Sequence, residues 1–157
     1  MKKILSVLLV IALAAACMAG CGEKKDEPAA EANTVGTKLQ AVFDSSSETD
    51  VNKMVDELIA AGEEIAELSL VPMEMVPGWL NGITVEVDNF TEGTMFSPMI
   101  GSIPFVGYVF KSDDAAALEA TLTENADKAW NICTQADEMV SSVRGDLVFF
   151  VMCTNEE

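Results

Sequence analysis

The sequence predicts an α+β domain, a two-layer sandwich with helices packed on one face of a mainly antiparallel sheet. Three observations carry that expectation. Val51 to Ile65 and Ala115 to Cys133 place apolar residues at helical spacing. Ile83 to Val87, Ile103 to Phe110 and Glu138 to Cys153 read as strands. Gly145-Asp146 supplies a two-residue turn inside the last of these. The element order is helix, helix, strand, short strand, strand, helix, strand, strand.

From Thr37 to Phe43, Leu39, Val42 and Phe43 suit a short helix that Ser45-Ser46-Ser47 ends. In the next helix Val51, Met54, Val55, Leu58, Ile59 and Ile65 make one apolar face, with Thr49 or Asp50 as N-cap and Glu57, Glu63, Glu64 and Glu67 on the wet side. Leu68 to Gly82 contains Pro72, Pro77, Gly78 and Gly82, so no single regular element is expected there. Ile83, Val85 and Val87 alternate with Thr84, Glu86 and Asp88, the mark of a strand with one face in water. A turn at Thr91-Glu92-Gly93 leads to a short strand around Met95-Phe96-Ser97-Pro98.

Ile103 to Phe110 is apolar on both parities, which suits a strand buried on both faces, with Pro104 at its start. Ser112-Asp113-Asp114 then caps a long helix over 113–136, whose apolar face is Ala115, Leu118, Leu122, Ala126, Ala129, Trp130 and Cys133. It should pack across the terminal hairpin. Gly145-Asp146 fits a type II′ turn, and that fixes the register: Val143 faces Val148, Ser141 faces Phe150 and Met139 faces Met152 on one side, Val140 faces Val151 and Ser142 faces Phe149 on the other.

The N-terminus carries a different message. Lys2 and Lys3 precede an apolar run from Ile4 to Ala19, and small residues then stand directly before Cys21, the layout of a secretory signal peptide. A bilayer span takes about 20 residues, and the polar sequence from Gly22 to Lys25 ends this run early. Met18-Ala19-Gly20-Cys21 resembles the bacterial lipobox, in which the cysteine is acylated and becomes the new N-terminus. Cys17, after Ala14-Ala15-Ala16, is a second candidate, but it would leave Met18-Ala19-Gly20 between anchor and charged stretch. The expected organisation is a signal peptide over 1–20, a lipidated cysteine and flexible tether over 21–36, and one domain over 37–157. A diacylglyceryl group supplies the two chains that stable anchoring needs, so the partner implied first is the membrane, reached through lipid on Cys21 at its extracytoplasmic face.

Loss of residues 1–20 removes Lys2 and Lys3 and no acid, so the net charge moves from −17 to −19. Phosphate backbones and anionic leaflets attract clusters of Lys and Arg. This chain has none, so nucleic acid is not an expected partner. No histidine occurs anywhere, which excludes Ser-His-Asp and Cys-His catalysis and histidine-containing zinc sites. Beyond the anchor only Cys133 and Cys153 remain, too few for a four-cysteine site, and a disulfide between them is chemically permitted outside the cytoplasm. Phosphate-cradling glycine loops are missing. No catalytic, cofactor-binding or metal site is assigned from sequence.

Three weaker patterns remain. Asp88-Asn89-Phe90-Thr91-Glu92-Gly93 has acids and a glycine where a calcium loop would have them, but Phe90 and Met99 occupy ligand positions, which favours a plain turn. Met73, Met75, Met95 and Met99 could offer thioethers to a soft metal such as copper(I), although methionine more often fills cores. Met75-Val76-Pro77-Gly78-Trp79-Leu80 is a proline-glycine loop with a large aromatic, and Met75 and Trp79 are the candidate partner patch, against the alternative that Trp79 folds onto the sheet edge as core.

The stretches Met99-Ile100-Gly101-Ser102-Ile103-Pro104-Phe105-Val106-Gly107-Tyr108, Trp130-Asn131-Ile132-Cys133 and Gly145-Asp146-Leu147-Val148-Phe149-Phe150 resemble small uncharacterised lipoproteins of Gram-positive anaerobic bacteria. Those domain-of-unknown-function lipoproteins share a lipobox, a tether and a strand-helix-hairpin C-terminal half. The resemblance covers about the last sixty residues and the N-terminus, and it implies a bacterial cell-surface location and no chemistry. The leading functional expectation is a membrane-anchored, non-enzymatic module that binds a protein or small molecule outside the cell. A small carboxylate-dependent hydrolase and a soft-metal or redox protein using methionines with Cys133 and Cys153 are the alternatives.

Overall fold

The computed structural model describes residues 33–132 and 134–155, and its first element is a helix, α1 (Val35–Ser45). Cys21, the expected signal peptide and most of the expected tether lie outside the described residues. Helix α1 begins within the stretch read as tether because Thr34 caps it reciprocally. Its Oγ1 accepts from the Thr37 N–H at 3.3 Å, and the Thr37 Oγ1 accepts from the Thr34 N–H at 3.1 Å. A distant carboxylate completes the cap: Glu138 accepts from the Gly36 N–H and the Thr34 hydroxyl, both at 2.7 Å. Negative charge there suits the positive end of the helix dipole.

Helix α2 (Val51–Ala66) starts at the Asp50 cap, whose carboxylate accepts from the Lys53 N–H at 3.0 Å. It buries Val51, Met54, Val55 and Leu58, as the spacing predicts. The chain then enters a five-stranded antiparallel sheet of β1 (Leu70–Glu74), β4 (Glu92–Pro98), β5 (Val106–Lys111), β7 (Leu147–Cys153) and β6 (Glu138–Arg144), side by side in that order. A two-stranded ribbon of β2 (Gly78–Trp79) and β3 (Glu86–Val87) stands apart, and α3 (Ala115–Glu124) lies between β5 and β6 in sequence.

The predicted α+β two-layer sandwich is the architecture observed, with an addition on its other side. Along β7, Leu147, Phe149, Val151 and Cys153 join the core under α1 and α2. Val148, Phe150 and Met152 point the opposite way, as alternation along a strand requires, into a second core with Leu118 and Leu122 of α3 and the loop residues Leu80, Ile83 and Ala136. Phe43 of α1 stacks on Phe149 at 5.4 Å in the first core, and Tyr108 stacks on Phe110 at 5.3 Å in the second.

Several elements differ from expectation, each for a local reason. Strand β1 occupies the region expected to be irregular. The Met75 N–H donates to Gly93 O on β4 at 2.8 Å, so by alternation Pro72 faces away from β4, where no donor is needed. The strand expected over Ile83–Val87 shrinks to Glu86–Val87 because the Thr84 N–H and hydroxyl both donate to Asn125 O, at 3.0 and 3.1 Å. Strand β4 is seven residues long and central, despite Gly93 and the buried Thr94, whose hydroxyl donates to Asn52 Oδ1 at 2.8 Å. Helix α3 stops at Glu124, not at 136: Asn125 turns its amide back to Thr121 O at 2.8 Å, and the Asp127 N–H donates to Gly82 O at 2.8 Å.

The terminal hairpin has the expected register at every pair, including Val143 with Val148, Ser141 with Phe150 and Met139 with Met152. Gly145 alone in this turn has a positive φ, 65°, as a type II′ turn requires of its first central residue. Gly107 answers to a different need. It lies opposite Phe96 on β4, and a Cβ there would stand 2.3 Å from Phe96 Cζ. Gly107→Ala must displace a fully buried ring, so we expect a loss of about 1–3 kcal/mol. It should be read as a lower urea midpoint at unchanged slope, partly recovered by adding Phe96→Leu.

Candidate binding groove

Cross-strand pairing lines up a row of side chains across the α3 face of the sheet: Met73 on β1 opposite Met95 on β4, Met95 opposite Tyr108 on β5, and Tyr108 opposite Phe150 on β7. Toward β7 the row is sealed, and Tyr108 and Phe150 are fully buried. Toward β1 the cover thins, leaving Met95 buried and Met73 more than half exposed. Here a groove of about 600 Å³ opens. Its floor is Met73, Met95 and Val106, and its walls come from the loop after β4, through Met99 and Ile100, and from the loop after α3, through Trp130 and Ile132.

Hydrogen bonds fix the walls. The Asn131 amide donates to Gly101 O at 2.7 Å and the Thr134 hydroxyl to Ser102 O at 3.3 Å, tying the two loops together. The Trp130 N–H donates to Asp127 O at 3.1 Å. On the third side the Tyr108 hydroxyl donates to Asn81 O at 2.9 Å, and the Asn81 amide donates to Met95 Sδ at 3.8 Å. Among the described residues, no Asp, Glu, Lys or Arg lines this groove. Met99 is 80% exposed and Ile100 66% exposed. A second depression of about 450 Å³, with Leu68, Pro98 and Ile103 in its wall, flanks the same Met99-Ile100 tip on its other side.

The residues singled out from sequence divide among several places. Trp79 is 70% exposed on the β2–β3 ribbon, so the alternative in which it seals the core is not what the fold adopts. Met75 is half-buried and packs on the second core, lining a small pocket with Asn52, Glu74, Glu92 and Thr94. Among the proposed sulfur ligands, Met73, Met95 and Met99 share the main groove, and Met75 does not line it. Asp88 to Thr91 is an irregular segment, with the Thr91 N–H donating to Lys111 O at 2.8 Å and the Ser112 hydroxyl to Asn89 O at 2.6 Å, and Glu92 and Gly93, expected in a turn, already belong to β4. No cluster of three or more Asp, Glu, His or Cys arranged to hold a metal occurs among the described residues.

Ile100 and Ile132 are the wall residues that sequence reading did not single out. Ile132 stands fully exposed in a segment assigned to helix. Its only signal was an isoleucine beyond Asn125 and Asp127, two residues that end helices readily. Cys133 lies outside the described residues. Cys153 is a free, buried thiol that donates to Glu138 Oε1 at 3.2 Å. Burial first, and then the Glu138 carboxylate, push its pKa well above the ordinary thiol range, so at neutral pH it is a protonated packing residue and not a nucleophile. Burial likewise raises the Tyr108 phenol.

No family model, no curated protein and no solved structure matches this chain. None of the described helices is long and apolar enough to cross a membrane.

Both raised groups link stability to pH in one direction. Above about pH 8.5 the unfolded thiol loses its proton and the folded one keeps it, so the native state binds more protons and stability falls as pH rises. Each such group contributes a slope of about 1.4 kcal/mol per pH unit while its folded form stays protonated. Denaturant titrations from pH 7 to 11 should show the decline beginning near pH 8.5 in the wild type and nearer pH 10, where the unfolded phenol ionises, in Cys153→Ser.

Proposed function

We propose that this chain is a membrane-anchored bacterial lipoprotein whose extracytoplasmic domain is a non-enzymatic binding module. Its site is the groove between the loops after β4 and α3, and its ligand is an apolar molecule or an apolar peptide segment. One observation carries this reading: Met73, Met99, Ile100 and Ile132, all exposed, converge on one concave surface that has no ionised side chain among the described residues. Pockets that hold small ligands are concave and mainly apolar, with a few placed polar groups. Here the Asn81 and Asn131 side chains are those groups. Flexible, polarizable methionine side chains let such a surface adapt to its ligand.

The anchor rests on separate grounds, the charged start, apolar run and small residues before Cys21. Neither a hydrolytic nor a redox role gains support from the groove. Among the described residues it has no carboxylate pair for glycoside chemistry, and Cys153 is inert by burial.

Two measurements test the proposal. Cells grown with labelled palmitate should label the wild-type protein and not Cys21→Ser; label retained in the variant would reject the attachment site. Nile red, a neutral apolar dye, should bind saturably with a blue shift, and Met99→Asp with Ile100→Asp should weaken it at least tenfold, about 1.4 kcal/mol. Both residues are exposed, so that double variant should melt like the wild type. Binding indifferent to the two aspartates would overturn the groove as the site.

A further inference from the structure

The five-stranded sheet has two edges, and they are built differently. On β1 the outward-facing backbone includes Pro72, which has no N–H to offer and blunts that edge against pairing. Strand β6 has no such guard. It is seven residues long, Glu138-Met139-Val140-Ser141-Ser142-Val143-Arg144, without proline or lysine.

Its outward backbone groups follow from the hairpin. A two-residue turn makes the flanking pair, Arg144 and Leu147, a hydrogen-bonded one, and such pairs alternate along an antiparallel ladder. Ser142, Val140 and Glu138 therefore bond inward to β7. The neighbouring ladders agree: the Ser112 N–H donates to Asp146 O from the β5 side, which leaves the odd-numbered residues of β7 for β6. Met139, Ser141 and Val143 consequently present their N–H and C=O groups outward. No hydrogen bond between described residues reaches those six groups.

We propose that this edge pairs with the same edge of a second copy of the chain, in antiparallel register centred on Ser141, joining two five-stranded sheets into one. Centring on Ser141 is what the strand itself favours. The outward residues 139, 141 and 143 are symmetric about it, so Ser141 pairs with its own counterpart and Met139 with Val143 of the other copy, and all twelve outward groups of the two strands are satisfied. Met139 and Val143, each 37% exposed, are the exposed large apolar residues of β6, and this register lays each against the other across the two-fold axis. Glu138 falls opposite Arg144 of the second copy, so opposite charges meet at both ends. Each of these charges is already held by its own chain, Glu138 by the start of α1 and Arg144 by Phe43 O and Glu48 O, and the register places no like charges face to face. The contact is isologous and closes at two copies. The edge is narrow, so the pairing is weak in solution and is strengthened where a shared membrane surface concentrates the copies.

Sedimentation equilibrium of the chain from Gly22 onward, which carries the whole folded unit, should show a concentration-dependent rise from one chain mass to twice that mass. Ser141→Pro removes an outward N–H that β7 does not use, and Val143→Lys places a charge against Met139 of the second copy. Each should remain at one chain mass with wild-type circular dichroism. In a Cys133→Ser background, Ser141→Cys should form a disulfide-linked dimer on mild oxidation far faster than Val143→Cys, whose counterpart is Met139. A wild type that stays at one chain mass into the near-millimolar range, or a dimer that survives both Ser141→Pro and Val143→Lys, would overturn the proposal. So would equal cross-linking at 141 and 143. Should Ser141→Pro unfold, Val143→Lys and the cross-linking pair decide.

Discussion

The burial of β7 on both faces is the constraint from which the rest of the fold follows. All seven residues from Leu147 to Cys153 are buried, and each fully buried large apolar side chain contributes about 1.5–3 kcal/mol. Alternation sends Phe149 and Val151 to one side and Val148 and Phe150 to the other, so neither face can be left to water. One helical layer could not satisfy such a strand. The chain supplies α1 and α2 for the first face and α3 with its loops for the second, and flanks β7 with β5 and β6, which remove its backbone from water.

The groove is where that second cover runs out. Helix α3 has ten residues and packs on β6 and β7. Beyond it, toward β1, the sheet is roofed by turns around Asn81 and Trp130, which cannot close over it as a helix does. Burial falls accordingly, from the wholly buried β7 to β1, where only Leu70 is buried. Where α3 has ended, the Asn81 loop covers Met95 instead, and Met73 beyond it stays exposed. A short helix and an open groove are thus one fact seen from two sides. Asn131, which ties the two loops, also lines the binding surface, together with Asn81.

Legibility from sequence varied along the same lines. The hairpin could be read pair by pair because a two-residue turn fixes register and each side-chain parity is then determined. Helix α2 was legible for a similar reason, since its period and cap agree. The reading of α3 ran twelve residues too far, because Ala126, Ala129 and Trp130 keep the period while the backbone has already turned to bond Gly82 and Thr84, a tertiary preference that local pattern does not encode. Strands β1 and β4 were obscured by Pro72 and Gly93, residues that weaken a strand on average and are tolerated at an outward edge position or under a packed ring. The groove inherits this difficulty. Ile132 is exposed because α3 stops before it, and Met99 and Ile100 because they stand on the loop after β4, whereas the exposure of Trp79 follows from its place on a two-residue ribbon.

Placement of the chain entry gives these pieces a common orientation. The first turn of α1 meets the sheet at Glu138, the first residue of β6, through the Thr34 hydroxyl and the Gly36 N–H. The groove lies at the other edge, four strand spacings away, about 19 Å at the usual 4.8 Å per strand. Under the proposed anchoring at Cys21, the twelve residues 22–33 reach on the order of 20 Å, and the net charge of −19 expected after loss of residues 1–20 is repelled by anionic lipid. Under the proposed anchoring and pairing, two copies on one membrane meet through the β6 edges while their methionine grooves stay at the far ends of the joined sheet. Anchor, dimer edge and ligand site then do not compete for surface, and mutation at one should leave the others measurable.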